Sequence, residues 1–255
     1  MPMKLLTAAM IVISPCMYGQ TIKNVTPTLG LLVDKSAEGE AEFLRVQNQC
    51  SELWKKKQKK VALTADEERT LKEGCSEGGP ENYFDIFGPE CSWYCGGGAD
   101  TQTASSELPT YKDINYSADN AHDLSYKTAW IEGVPGFGIG ESLTYHFPPE
   151  NPRITKIIIV NGYVKSQKSW RENSRVKILK MYIDNKPFAL LNLEDTRHEQ
   201  QFTFDPIGNG NRLDMVKLKA TPSWTMTFEI VDVFKGDKYE DTAITKIYFD
   251  GIDVH

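Results

Sequence analysis

The sequence predicts a mainly β protein, in which an antiparallel β-sandwich or jelly roll follows a small helical, disulfide-braced section. Past residue 100 helical periodicity disappears, and about eight strand-like runs follow, most of them bounded by Gly, Pro, Asn or Asp. Before residue 76, apolar residues recur instead at the three- and four-residue spacing of helices. Of the five cysteines, all but Cys16 follow residue 20. An even number of cysteines in an exported chain indicates two disulfides.

The first twenty residues have the features of a targeting segment. Lys4 supplies a short positive region, and residues 5–14 supply an apolar stretch too short to span a bilayer. We therefore expect a signal peptide over residues 1–20. A lipoprotein attached through Cys16 is the alternative, which the preceding proline disfavours. No later segment of the sequence approaches the roughly 20 apolar residues of a membrane helix, so a secreted, periplasmic or cell-surface protein is expected.

A helical hairpin is predicted after a short lead-in. Residues 21–37 lack a sustained period and are expected to form a linker or an extended lead-in, and the hairpin region is expected over residues 38–85. The first helix, over about residues 40–58, has an apolar face made of Phe43, Val46, Cys50, Leu53 and Trp54. Thr64 is predicted to cap the second helix, with Glu67 completing a capping box.

The hairpin predicts one disulfide pairing. Cys50 and Cys75 lie at nearly equal distances on either side of the connection near residue 62, so antiparallel helices would bring them to the same height. We favour Cys50–Cys75, which leaves Cys91–Cys95 as a tight local bridge, although the sequence alone leaves three connectivities open. Zinc binding by Cys91 and Cys95 is the alternative, and it is disfavoured because no histidine lies nearby.

The sandwich domain is expected over residues 86–255. Its predicted strands are Ser142–Phe147, Arg153–Val160, Arg175–Ile183, Lys186–Leu193, Glu199–Phe204, Asp214–Ala220, Thr225–Val233 and Ala243–Phe249. Several alternate apolar and polar side chains, which is typical of strands with one buried face. The number and the spacing of these runs predict an antiparallel sandwich or jelly roll.

Ordered motifs in this region resemble a known family. The motifs are Tyr116–Trp130, Thr128–Gly133, Gly138–Glu141, Asn161–Lys177 and Asp232–Ile244. They are similar to discoidin-like (coagulation factor five/eight type C) domains, and most closely to the bacterial NADase-type glycan-binding domain, over residues 90–253. The resemblance implies a galactose-binding-like jelly roll that holds its ligand in loops at one end. It does not imply NAD cleavage, which belongs to a separate catalytic domain of that family's namesake.

The same resemblance raises the question of calcium. Discoidin-like sugar modules often hold a structural calcium ion with an Asn-Ala-x-Asp turn and a glutamate near the last strand. Here the turn is present and ends at Asp123, but Lys246 stands at the late position. Because an ammonium group repels calcium, we expect no cofactor, and we expect Lys246 to pair with Asp123 instead.

The segment between residues 161 and 177 is the candidate binding site. It places aromatic, amide and basic side chains in one predicted loop, which is typical of a site for a polar, ring-shaped ligand. The candidate ligand contacts are Tyr163, Lys165, Trp170, Asn173 and Arg175. Trp170 is expected to stack on a sugar ring while the polar side chains reach hydroxyls or an acidic substituent. Packing or bracing of the loop is the alternative role for these residues.

Other function classes fit the sequence less well. The net charge of −6, with lysines interspersed among acids, disfavours nucleic acid, and the Lys55–Lys60 run suits a solvated helix end. The four histidines are scattered, and no nucleophile motif is present. Glu132 and Glu141 are the one conceivable glycosidase pair.

We therefore expect a secreted, non-catalytic protein that binds a carbohydrate or glycoconjugate. A cell-surface module that binds protein or lipid head groups is the first alternative, because a fold does not determine a function. A glycoside hydrolase or its accessory is the second. The sequence leaves the particular glycan and the oligomeric state open.

Overall fold

A computed structural model describes residues 22–75, 83–86 and 92–254 of the chain. The predicted signal peptide over residues 1–20 lies outside the described residues. In chain order the elements are β1 (Lys23–Val25), β2 (Thr28–Leu32), α1 (Ala37–Gln58), α2 (Ala65–Glu73), β3 (Thr101–Ala104), β4 (Trp130–Ile131), β5 (Ser142–Phe147), β6 (Ile154–Asn161), α3 (Gln167–Glu172), β7 (Ser174–Ile183), β8 (Lys186–Asn192), β9 (His198–Ile207), α4 (Met215–Lys219), β10 (Trp224–Phe234) and β11 (Thr242–Gly251). Among the described residues, no helix combines the length and the apolar character needed to span a bilayer.

The strands form a two-layer sandwich, as the sequence predicts. One layer follows the order β2-β9-β6-β11-β4, and the other follows β1-β8-β7-β10-β5-β3. A short parallel pairing of Thr242 with Ser174 joins the two layers at one end. Tyr145 of β5 and Phe249 of β11 do not lie on paired strands, yet their ring centroids are 5.2 Å apart. The two layers therefore pack face to face over a shared core.

The core follows from the alternation of side chains along each strand. In β10, Met226, Phe228 and Ile230 are fully buried, while the residues between them are half-buried. Strand β6 is different because it is buried on both faces over Ile157–Asn161. Its second face is covered by a smaller apolar cluster that includes Tyr126. A central strand that is covered on both faces has a continuous run of apolar residues. The apolar run in the sequence of β6 predicts this position.

The helical section contains the predicted hairpin. Thr64 accepts a hydrogen bond from the backbone of Glu67, and the Glu67 side chain accepts one from the backbone of Thr64, which completes the predicted capping box. The Cys50–Cys75 disulfide is present, and Leu53 and Leu71 are buried beside it. These helix and disulfide predictions are confirmed.

The second predicted bridge has only one of its two cysteines, Cys95, among the described residues. Cys95 has a free, exposed thiol, and its Sγ accepts a hydrogen bond from the backbone of Ser92 at 3.2 Å. Cys91 itself lies outside the described residues. Cys95 is the last residue of a short 3-10 helix over Trp93–Cys95, and the hydrogen bond from Ser92 to its sulfur caps the start of that helix.

The segment expected to be a linker is part of the sheet. Lys23–Val25 forms β1, which pairs with β8 in parallel, and Thr28–Leu32 forms β2, which pairs with β9. The strands are short and mostly exposed, so they lack the apolar alternation that identifies a half-buried strand. Their partner strands, β8 and β9, lie more than 150 residues away in the sequence, so local sequence signals do not reveal the pairing.

One predicted strand is a helix. Met215–Lys219 forms α4, and the Asp214 side chain caps it by accepting a hydrogen bond from the backbone of Lys217 at 3.1 Å. Within α4 only Leu218 is buried, and Val216 is 82% exposed. The alternation of apolar and polar residues in this segment predicted a strand with one buried face. In the structure the alternating apolar residues do not share a buried face, because Val216 is exposed while Leu218 is buried.

Candidate functional site

The candidate segment begins at a sharp turn after β6. Asn161, the last residue of β6, ties β6 to β7, because its side chain donates to the carbonyl of Val176 at 2.6 Å and accepts from its amide at 2.9 Å. Gly162 follows with a φ of +75°, and a Cβ there would lie 2.8 Å from Trp170 Cδ1. Only glycine adopts this backbone conformation freely and leaves this space. The turn thus sets where Trp170 sits.

The predicted loop contains a short helix. Ser166 caps α3 by accepting from the backbone of Ser169 at 3.1 Å, and Ser169 Oγ accepts in return from the backbone of Ser166. At the other end of α3, the Glu172 carbonyl accepts hydrogen bonds from the amides of Lys238 and Tyr239. The connection between β10 and β11 is therefore fastened to α3 at this end of the sandwich.

Arg175 holds the segment together from inside. Its guanidinium forms a bidentate pair with Asp195, at 2.6 and 3.1 Å, and it donates to the carbonyls of Asn173 and Trp170. The residue is 7% exposed. These bonds use the fork of donors that makes arginine suitable for such a brace, so the Arg175 side chain is occupied with internal partners.

Trp170 is half-buried and has contacts on its edge and on its ring. Its Nε1–H donates to the carbonyl of Asn161 at 3.1 Å, and the Arg175 guanidinium lies 4.5 Å from its ring centroid. The ring also packs against a cluster that includes Val160 and Val164. Little of its aromatic face is left for a ligand.

The other three candidates differ in exposure. Tyr163 is 8% exposed and packs with Ala243, with its ring centroid 6.5 Å from that of Tyr116, and burial raises its pKa to about 12. The Asn173 side chain donates to the carbonyl of Ser169 at 2.8 Å. Lys165 is half-exposed. The structure therefore brings the five candidates into one segment, but Tyr163 and Asn173 make internal contacts there.

A polar groove lies beside these residues, on the outer side of α3. It has a volume of about 700 Å³ and is lined by Gln167, Lys168, Arg171, Glu172, Asp237 and Lys238. Arg171 and Asp237 are paired at 3.0 Å while both side chains stay more than half exposed. Tyr239, next in the chain, is 40% exposed. The groove offers amide, guanidinium, ammonium and carboxylate groups, and the Tyr239 ring beside it has the Lys238 ammonium 4.6 Å from its centroid.

None of the five predicted contact residues lines this groove, and sequence reasoning missed the side of it that follows β10. Asp237, Lys238 and Tyr239 lie between β10 and β11, more than 60 residues from α3. Their amides reach α3 only because both connections fall at the same end of the sandwich. The available signal was the run of polar and aromatic residues over 235–241, which follows an alternating strand.

The residues expected at a calcium position do not fit that ion. Lys246 is fully buried, and its Nζ lies 3.0 Å from Asp123 Oδ1, as the sequence predicts. The same ammonium donates to the carbonyls of Asn120, Thr128 and Thr245. These oxygens are the kind that bind calcium, and here the ammonium uses them. Among the described residues, no group of three or more acidic, histidine or cysteine side chains is arranged for a metal.

The conceivable catalytic carboxylates have structural partners. Glu132 is fully buried, and its carboxylate accepts hydrogen bonds from the amides of Thr242 and Val134 at 3.0 and 2.9 Å. Burial raises its pKa, although these backbone bonds oppose the change. Glu141 accepts a hydrogen bond from the hydroxyl of Ser105. Both groups therefore stabilise the connections around β4 and β5.

The two-layer sandwich, with connections gathered at each end, is an architecture of the jelly-roll type. Residues 93–250 match the family described as the NAD glycohydrolase translocation F5/8 type C domain. Because the match covers more than half of the chain, the protein belongs to this family. The predicted resemblance and fold class are confirmed.

The solved structures found to be similar to this chain have low sequence identity to it. The family 32 CBM of Clostridium perfringens NanJ, in complex with galactose, is 16% identical, with a TM-score of 0.40, and the match covers 58% of this chain and 91% of that chain. CpGH89CBM32-5 of the same organism, in complex with GalNAc-β-1,3-galactose, is 12% identical, with a TM-score of 0.40 and coverages of 59% and 94%.

The CBM32-1 and CBM32-2 domains of Clostridium perfringens ZmpB are 13% identical, with a TM-score of 0.40. That match covers 61% of this chain but only 35% of the ZmpB chain. Among the curated proteins, the comparison found no match.

Proposed function

We propose that this protein is a non-catalytic carbohydrate-binding protein that holds its glycan at the α3 end of the sandwich. The observation that carries the proposal is the polar groove between α3 and the Asp237–Tyr239 turn, which presents hydrogen-bonding side chains from two connections. Membership in a family of F5/8 type C domains supports it, because such domains use loops at one end of the sandwich for recognition. The predicted signal peptide supports export, which would place the groove where glycans are exposed.

The groove suits a sugar in two ways. Planar guanidinium and amide groups, here Arg171 and Gln167, bond to neighbouring hydroxyls. The Tyr239 ring beside the groove is 40% exposed, and its face opposite the Lys238 ammonium would pack on the C–H side of a pyranose. The lysines Lys165, Lys168 and Lys238 would favour a sugar with an acidic substituent. In this proposal Trp170 serves to position α3, through its hydrogen bond to Asn161 and its contact with Arg175.

The hydrogen-bond partners of Glu132 and Glu141 support a non-catalytic role. A glycosidase needs two carboxylates that face one substrate across a cleft. Here the Glu132 carboxylate is held by backbone amides and the Glu141 carboxylate by Ser105. We therefore expect glycan binding without turnover.

A glycan array probed with the full chain tests the proposal. We expect binding to a subset of glycans, and we expect the double variant Lys168→Ala, Arg171→Ala to weaken it by about tenfold or more, since it removes two charged donors. The melting temperature should stay within about 1 °C, because exposed ion pairs contribute little to stability. Arg69→Ala is the matched control, because Arg69 also forms an exposed pair, with Asp66 on α2.

The proposal fails in either of two ways. Unchanged glycan binding by the double variant would move the site away from α3. Release of a reducing sugar from an array glycan by the purified chain would show an enzyme, and the groove would then have to be reassigned.

A further inference from the structure

A second pocket lies on the outer surface of one sandwich layer, away from the groove beside α3. It has a volume of about 720 Å³ and forms between the start of α1, residues 83–86 and the outer face of the layer that contains β9, β6 and β11. Its apolar and aromatic lining includes Leu31, Leu32, Phe43, Tyr83, Tyr126 and Tyr248. A volume in this range accommodates a small organic ligand.

A buried carboxylate lies at the floor of this pocket. Glu199 of β9 is 9% exposed and lines the cavity. Its Oε1 accepts hydrogen bonds from the hydroxyls of Tyr126 and Tyr248, at 2.6 and 2.7 Å. Burial, together with the nearby Glu199 charge, raises the pKa of both tyrosines, so both hydroxyls stay protonated and donate.

The other oxygen of Glu199 is available. Its Oε2 accepts no hydrogen bond from any residue that the structure describes, although a buried carboxylate normally has donors on both oxygens. A group with a free acceptor, nine-tenths removed from water and facing a cavity, favours a ligand that brings its own donor.

The charges around the pocket favour a cation. Among the described lining residues, five carry carboxylates, namely Asp34, Glu38, Glu42, Asp85 and Glu199, and one carries an ammonium, Lys35. Arg45 and Arg197 offset two of these acids from outside. The potential inside the pocket therefore remains negative.

Lys35 shows that a cation is accommodated at the rim. Its ammonium lies 4.0 Å from the ring centroid of Tyr83 and 4.6 Å from that of Tyr126, and it donates to the Tyr83 carbonyl. Aromatic faces attract ammonium groups at such distances. Desolvation lowers the pKa of Lys35 to about 8, so it still carries its proton at neutral pH. Its hydrogen bond goes to the Tyr83 carbonyl, and among the described residues it forms none with Glu199.

We propose that this pocket binds an organic cation with an apolar body, whose primary ammonium group donates to Glu199 Oε2. The apolar part lies against Leu31, Leu32 and Phe43, and the rings of Tyr126 and Tyr248 flank the charged end. This site is distinct from the groove beside α3 and does not depend on the proposed carbohydrate binding.

Titration calorimetry with three six-carbon probes tests this site on the full chain at pH 7. Hexylammonium is expected to bind, 1-hexanol to bind about tenfold more weakly, and hexanoate not to bind, because only the ammonium complements the carboxylate. Glu199→Gln removes the charge at nearly constant size and should weaken hexylammonium binding by about tenfold or more. Glu229→Gln is the matched control, because Glu229 also accepts a tyrosine hydroxyl, that of Tyr182, but lies outside the pocket.

A second variant keeps the test decisive if Glu199→Gln does not fold. The double change Glu38→Gln, Glu42→Gln alters two exposed side chains of α1 on the pocket rim. It should leave the fold intact and cause a smaller loss of hexylammonium affinity. Equal binding of hexylammonium and 1-hexanol, or no binding of hexylammonium, would overturn the proposal. So would an affinity that neither variant changes.

Discussion

At the scale of single residues, Lys246 places an ammonium group among several oxygen atoms inside the fold. The side chain is fully buried and donates to three backbone carbonyls and to Thr128 Oγ1, and it pairs with Asp123. A lysine with this many oxygen partners keeps its charge despite burial. Desolvation nevertheless lowers its pKa to about 8, and the Asp123 charge only partly opposes this.

The lowered pKa of Lys246 predicts how stability changes with pH. An unfolded lysine titrates near 10.4, so between pH 8 and that value the unfolded chain holds more protons than the folded one. The free energy of unfolding should therefore rise with pH in this window, and Lys246 should account for up to about 3 kcal/mol.

Urea unfolding at pH 7.5, 8.5 and 9.5 measures this effect. Lys246→Met should be less stable at every pH, because Asp123 and the carbonyls lose their partner, and it should lack most of the rise. Part of the rise should persist, because the pKa of Lys35 is lowered in the same direction. An equal rise in Lys246→Met and the unchanged protein would show that Lys246 titrates normally.

At the scale of elements, the connection between β6 and β7 is an internally bonded unit. Trp170 bonds to Asn161, its ring contacts Arg175, and Arg175 pairs with Asp195. We expect Trp170→Ala to lower the free energy of unfolding by about 2 kcal/mol, since a half-buried ring, a hydrogen bond and a cation–π contact are lost together.

Thermal unfolding with a second tryptophan as control separates this role from ligand contact. Trp54→Ala also removes a half-buried tryptophan with a lysine over its ring, that of Lys57 at 4.4 Å, but it lies in the hairpin. It should leave the melting of the sandwich unchanged. An unchanged melting temperature in Trp170→Ala, with glycan binding abolished, would restore Trp170 as the stacking residue that the sequence predicts.

Helices and strands were predictable from the sequence where a local signal, such as alternation or a capping box, coincides with a buried face. The strand boundaries of β5, β7 and β8 and the capping box of α2 follow from alternation and from Thr64 with Glu67. Short elements were not predictable in this way. The helix α4 has only one buried residue, and α3 has none, so their capping residues Asp214 and Ser166 were the only signals.

The candidate site was also predictable only in part. Sequence reasoning located the segment at the end of the sandwich, but it could not separate ligand contacts from internal braces. The buried pairing of Arg175 depends on Asp195, and the groove depends on Asp237, both distant in the chain. These contacts form because the order of the strands brings distant connections together, and the sequence of one segment does not reveal that order.

At the scale of the whole molecule, the helical hairpin and the sandwich have separate cores. Leu53, Leu71 and Cys75 form one cluster, and it shares no residue with the sandwich cores. In contrast, β1 and β2 join the sandwich through β8 and β9. The chain thus divides after β2 and not at the end of the expected linker.

This division predicts that reduction of Cys50–Cys75 melts the hairpin alone. The disulfide closes a sequence separation of 25 residues, and loops of this size are stabilised by about 3 kcal/mol. A helix of 22 residues and one of 9 residues, with three buried residues in their shared cluster, form too small a core to be stable without it. Hydrogen exchange under reducing conditions should show lost amide protection in α1 and α2 and unchanged protection in β6, β7, β10 and β11.

A Cys91→Ser, Cys95→Ser background leaves Cys50 and Cys75 as the only cysteines after the predicted signal peptide, so that any change belongs to them. Parallel loss of protection in the hairpin and the sandwich would show one cooperative unit instead of two. The second pocket gives an independent reading, because Phe43 and Glu42 of α1 line it while its Glu199 floor belongs to the sandwich. Reduction should therefore weaken hexylammonium binding and leave glycan binding at α3 unchanged, since the groove there has no residue from the hairpin.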